Sequence, residues 1–264
     1  MQLQGNLVKM RAENDVPIRY YMHLDGNELS VNDWIGSTVD IQYLNQINCI
    51  RCGRVTKKSF GQGFCYPCFK TAPEASPCIL KPELCRAHEG ESRDMEWSKT
   101  HCLIDHYVYL SITSGLKVGV TRDNQIPTRW IDQGASQAVA IAQTPNRYLA
   151  GLIEVALKSH YADRTNWRNM LMNKSDPGID LSNAKKEIYA YLPEHLQAYY
   201  INREIVYLEY PVGVYPVKVK SIGLEKTGDF KGVLKGVKGQ YLIFDEGYVF
   251  NVRNHSGYLV ELRV

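Results

Sequence analysis

The stretch His106-Tyr-Val-Tyr-Leu110, continued by Gly115-Leu-Lys-Val-Gly-Val-Thr-Arg122 and Pro127-Thr-Arg-Trp-Ile131, decides how this chain of 264 residues is read. Tyr107 to Ser111 is short and rich in aromatic and β-branched residues, Ser114-Gly115 is turn chemistry, and Leu116 to Thr121 alternates again, so a β-hairpin is predicted. Pro127 suits the first position of a following helix, because its missing N–H is not needed there, and Arg129 and Trp130 then sit in the first turns. A third strand is expected over Ala138 to Gln143. Asn146 next reads as the N-cap of a second helix, whose apolar face is Leu149, Leu152, Ile153, Ala156 and Leu157. Arg147, Gly151, Glu154 and Lys158 share its other face.

Taken alone, Glu154 and Lys158 are an i, i+4 ion pair on a solvated helix face. The order of the pieces points elsewhere: a tyrosine-rich strand, a strand ending Lys-Val-Gly-Val-Thr-Arg, a helix with Arg-Trp, then a helix with one Glu. This order resembles the GIY-YIG nucleases. The resemblance implies that Tyr109 is the tyrosine of the first motif, Gly119 the glycine of the second, Arg129 the helix arginine and Glu154 the ligand of one Mg²⁺ or Mn²⁺. Two positions depart from the family: Lys117 stands where many members carry the second tyrosine, and Gln133 where many carry a histidine. The implied activity is phosphodiester hydrolysis of DNA or RNA. Tyr109 is the implied base with Tyr107 as its substitute, Lys117 is placed to lower its pKa, and Arg129, with Arg122 as second candidate, holds the phosphate. Considered whole, the chain also looks like an uncharacterised bacterial family described only as a domain of unknown function.

The strongest local signal lies upstream. All seven cysteines fall between Cys49 and Cys102, and Cys49-x2-Cys52 and Cys65-x2-Cys68 are two knuckles able to converge on one Zn²⁺. A closed set of four thiolates is structural. Cys78, Cys85 and Cys102 are expected to form a second zinc site with His88, which repeats the knuckle spacing, or with His106 as the alternative. One or two zinc ions per chain follow.

The remainder is read as architecture. Segment 1–47 is β and pairs with 203–264, segment 48–102 is a zinc-ribbon-like module, segment 103–200 is the GIY-YIG-like α/β core, and 201–264 closes a β-barrel or sandwich with the amino-terminal strands. The fold class is therefore α+β. Leu3 to Met10, Val16 to Met22 and Val39 to Leu44 are predicted strands, with Asp25-Gly-Asn27 as one turn; Glu204 to Tyr210, Tyr215 to Ile222, Gln240 to Phe244, Tyr248 to Val252 and Tyr258 to Arg263 follow at the other end. A helix is expected from Ser182 to Tyr200, capped by Ser182 and interrupted at Pro193, and a short one near Asp163 to Leu171, capped by Asp163 or Thr165.

With 44% hydrophobic residues, no apolar run near 18 residues and no basic, apolar start, a cytoplasmic protein without a membrane partner is expected. Lys+Arg 31 against Asp+Glu 28 leaves +3, which permits a nucleic-acid partner without arguing for one. Contacts to it are expected from Asn166, Trp167 and Arg168, and from Lys231, Lys235 and Lys238 in the basic stretch 218–238. A non-catalytic nucleic-acid-binding protein and a protein-interaction module are the competing readings.

Overall fold

The structure is a computed structural model that describes every residue except Asp25 and Pro177, so the Asp25 part of the expected turn lies outside the described residues. The chain folds into two compact units, one made of 1–70 and 209–264, the other of 71–208. The cysteine-bearing segment 48–102 is thereby divided between them. The first unit begins with β1 (Gln2–Asn6), the meander β2 (Arg11–Glu13), β3 (Arg19–Leu24) and β4 (Asn27–Ser30), then the long β5 (Thr38–Asn48) and the short β6 (Val55–Thr56) that folds back on it. Helix α1 (Tyr66–Thr71) follows.

The second unit contains α2 (Met95–His101), β7 (His106–Ile112), β8 (Leu116–Arg122), α3 (Thr128–Asp132), β9 (Gln137–Thr144), α4 (Arg147–Leu157), α5 (Trp167–Leu171), α6 (Leu181–Tyr191) and β10 (Val206–Tyr207). Its sheet runs β10-β9-β7-β8, all neighbours antiparallel, so the predicted hairpin and third strand are present with β7 between them. Because side chains alternate across a strand, Val108, Leu110 and Ile112 enter the core with Ala150, Ile153 and Leu157 of α4 and Ala184 and Ile188 of α6. Tyr107, Tyr109 and Ser111 are left on the opposite face. Asn146 caps α4, accepting from Leu149 N at 3.0 Å. Two other caps differ from expectation: Asn166 caps α5, and Asp180, whose carboxylate receives Ser182 N, caps α6. Past Pro193 the chain continues as a 3₁₀ turn, Glu194–Tyr199.

The carboxyl-terminal part of the first unit adds β11 (Lys220–Ser221), α7 (Leu224–Thr227), β12 (Phe230–Lys238), β13 (Tyr241–Phe244), β14 (Tyr248–Asn251) and β15 (Tyr258–Arg263). The strand order is β1-β15-β5-β12-β13-β14-β11, with β6 on β5. The path is open at both ends, so the architecture is mixed α+β and the expected barrel is not closed. The reason lies in β12: residues 230–233 pair with β5, residues 234–238 pair with β13, and a bulge between Leu234 and Gly236 turns the strand from one set of neighbours to the other. That strand is absent from the sequence expectation.

Candidate functional site

In the first unit, β5 ends at Asn48, Cys49 starts a tight turn, and β6 returns. Gly53 at φ +71° closes that turn by donating its N–H to Cys49 O, and Asn48 Nδ2 holds Gly53 O at 3.0 Å. Cys65 and Cys68 lie where the second loop enters α1. The four sulfurs of Cys49, Cys52, Cys65 and Cys68 lie within 4.8 Å of one another, and Cys52 Sγ is 3.8 Å from Cys65 Sγ. Tetrahedral Zn–S bonds of about 2.3 Å require sulfurs roughly 3.8 Å apart, so the donor set fits one zinc ion. Burial works to raise the Cys49 thiol, but backbone N–H groups of Cys65, Cys52 and Arg51 outweigh it and hold Cys49 at about 6, in thiolate form near neutral pH.

In the second unit, two proline-initiated 3₁₀ turns bring up Cys78 and Cys85, and Cys102 follows the end of α2. Their sulfurs also lie within 4.8 Å of one another, so both clusters could bind zinc. Neither histidine proposed as a fourth ligand belongs to this group. The His88 ring stacks on Tyr148 with centroids 4.4 Å apart. His106 is buried, with Nδ1 donating to Ile104 O at 2.8 Å and Nε2 without a hydrogen-bond partner. The residue that sequence reasoning missed is Arg147: it is buried beside the thiols, donating to Cys78 O at 3.3 Å and His101 O at 2.9 Å. Cys78 and Cys85, joined to it by hydrogen bonds, hold Cys102 far below the usual thiol range, and the Arg147 cation adds to this.

On the face of β7 opposite the core, Tyr109 lies directly across from Gly119 of β8. Its hydroxyl donates to Gln133 Oε1 at 2.9 Å, and its ring meets Trp130 edge-on. Lys117, 5% exposed, reaches toward Thr165 Oγ1 at 3.5 Å. Burial and then the Arg129 charge lower Lys117 to about 8, with Glu154 and Asp163 acting in the other direction. Glu154 is 8% exposed; burial raises its pKa, opposed by Lys158, whose Nζ stands 3.5 Å from Oε2. Arg129 and Glu154 thus act electrostatically on both Tyr109 and Lys117, the four being delivered by α3, α4, β7 and β8. Burial raises Tyr109 above its ordinary value, against the lowering influence of Arg129 and of the hydrogen bond to Gln133, the opposite of the lowering expected for a base.

Other candidates lie apart. Arg122 pairs with His106 in the strand register and is influenced by Arg147 and Cys102, which puts it toward the second cysteine cluster instead. Tyr107 is buried opposite Thr121 and Gln143. The Asn166 side chain is occupied as a cap, while the Arg168 guanidinium lies 4.3 Å from the Trp167 ring centre. Lys231 and Lys235 are exposed on β12, but Lys238 is buried near the rings of Tyr210 and Tyr215, and the basic stretch is therefore not a continuous surface. Among the described residues no helix is long and apolar enough to cross a membrane.

A family model described as protein of unknown function (DUF2797) matches residues 36–260. No curated protein and no solved structure matches the chain.

Proposed function

Since the chain belongs to the DUF2797 family, whose description carries no activity, we propose on the residues themselves that it is a metal-dependent nuclease acting on DNA or RNA, with structural zinc at Cys49, Cys52, Cys65 and Cys68. The observation that supports the reading is the convergence of Tyr109, Lys117, Arg129 and Glu154, the residues that carry the resemblance to GIY-YIG nucleases. Burying a lysine and a glutamate at one site costs stability, and such perturbed groups concentrate where chemistry is done. Lys117, lowered to about 8 by burial, takes the base role in this reading, since burial raises Tyr109 above its ordinary value. Arg129, half-buried, grips the phosphate with its planar fork.

Glu154 Oε2 is buried with Lys158 Nζ 3.5 Å away as its ion-pair partner and no hydrogen bond of good geometry, so a carboxylate oxygen remains that suits a hard cation. Mg²⁺ or Mn²⁺ held there would neutralise charge developing on the phosphate. The test is incubation of the purified protein with labelled DNA and RNA in Mg²⁺ or EDTA; Mg²⁺-dependent cleavage lost in Glu154→Ala is the expected result, and no cleavage of any substrate by the wild type overturns the reading. A second reading, a non-catalytic nucleic-acid-binding protein on the same scaffold, is favoured by one observation: Tyr109 is 1% exposed, and its hydroxyl is committed to Gln133.

A further inference from the structure

The Cys78, Cys85 and Cys102 sulfurs account for three corners of a tetrahedron, and among the described residues no other His, Cys, Asp or Glu ligand atom joins them at the same spacing. The same three cysteines line a cavity of about 540 Å³, with Trp97, Arg86 and Arg93 also on its wall. Cys85 and Cys102 are buried, whereas Cys78 is half-buried. A closed structural zinc site has four protein ligands; three protein ligands and one open position mark sites that exchange a ligand. The mutual spacing, within 4.8 Å, fits a single metal ion. Three thiolates on Zn²⁺ leave one net negative charge, and the buried Arg147 guanidinium beside Cys78 supplies the balancing positive charge. A fourth anionic donor therefore meets no net repulsion.

We propose that Cys78, Cys85 and Cys102 hold one zinc ion whose fourth ligand is exchangeable and enters from the cavity: water at rest, and a small thiol when one is supplied. In the exchange the zinc-bound water leaves, the thiol sulfur binds, and the S–H proton passes to bulk water. Zinc and thiolate are well matched, since sulfur donors are among the preferred ligands of this ion. The site is independent of the nuclease reading and stands or falls without it.

The test uses the full chain with cobalt(II) in both cysteine clusters, titrated with 2-mercaptoethanol at concentrations that leave the cobalt content unchanged. A saturable change in the visible cobalt bands is expected in the wild type. It should persist in His88→Gln and His106→Gln and vanish in Cys85→Ser, which should retain the single cobalt of the first cluster. An unresponsive wild type overturns the proposal. A response acquired only in His88→Gln or His106→Gln also overturns it, because the histidine then closes the site, and so does iron in place of zinc in the purified protein. Should Cys85→Ser not fold, the wild-type titration and the two histidine variants decide the matter by themselves.

Discussion

Gly119 lies so close to Tyr109 across the β7–β8 pair that a Cβ at position 119 would stand 2.6 Å from the Tyr109 hydroxyl oxygen. The glycine is the space in which the tyrosine ring lies. Gly119→Ala must displace that ring and break the hydrogen bond to Gln133, at a cost of about 1–3 kcal/mol for an overpacked site. Denaturant unfolding measures it, and unchanged stability would show that the ring is not held there.

Metal content gives the second prediction. Purified protein should carry one to two zinc ions per chain, and Cys65→Ser should lose one of them and unfold the turns around 49–68. Apparent zinc-binding energies of about 10–16 kcal/mol in small zinc modules exceed what so small a segment can gain from packing. Elemental analysis with thermal melts decides it; a folded, metal-free wild type contradicts it.

Glu154→Ala should abolish Mg²⁺-dependent cleavage, yet leave nucleic-acid binding intact or tighter, since a negative charge near phosphate is removed. Arg129→Ala should weaken both. Cleavage by wild type and Glu154→Ala at equal rates would remove Glu154 from the site.

Lys238 makes stability depend on pH in an unusual direction. Burial lowers it to about 8 in the folded protein from 10.5. Below about pH 8 both states hold the proton and the folded state bears the full cost of a buried cation. Between roughly 8 and 10.5 only the unfolded state is protonated, so this group's contribution to stability rises with pH, by on the order of 2–3 kcal/mol over the window. Lys238→Met should remove that rise, as urea unfolding at pH 7 and pH 10 would reveal; an unchanged slope assigns it to other groups.

Lys231 and Lys235 remain exposed and available to phosphate. Neutralising both should reduce the slope of log affinity against log salt by about 2 for duplex DNA, and Lys238→Met should leave it alone. An identical slope in the double variant would exclude β12 from the interface.

The hairpin, the third strand and the Asn146 cap were legible because local chemistry decided them: period-two alternation, turn residues, and a side chain able to receive Leu149 N. The knuckles were legible from spacing. Strand β12 was hidden by Gly232, Gly236 and the bulge after Leu234, which interrupt the alternation on which strand reading depends. Asp180 and Ser182 are both competent caps, and only the course of the chain selects the first. His88 is read as a ligand from its distance to Cys85 along the chain, whereas its stacking on Tyr148, sixty residues later, has no local signal. Arg147 carried no signal because its significance comes from the thiols folded against it.

The first and last strands are neighbours in the sheet, with β15 lying between β1 and β5. During synthesis residues 71–208 are complete and can fold while β5 still lacks both of its long partners, β12 and β15. Until residues 230–263 have been made, this eleven-residue strand presents edges without their long partners, and exposed edges of that kind are prone to pair with other chains.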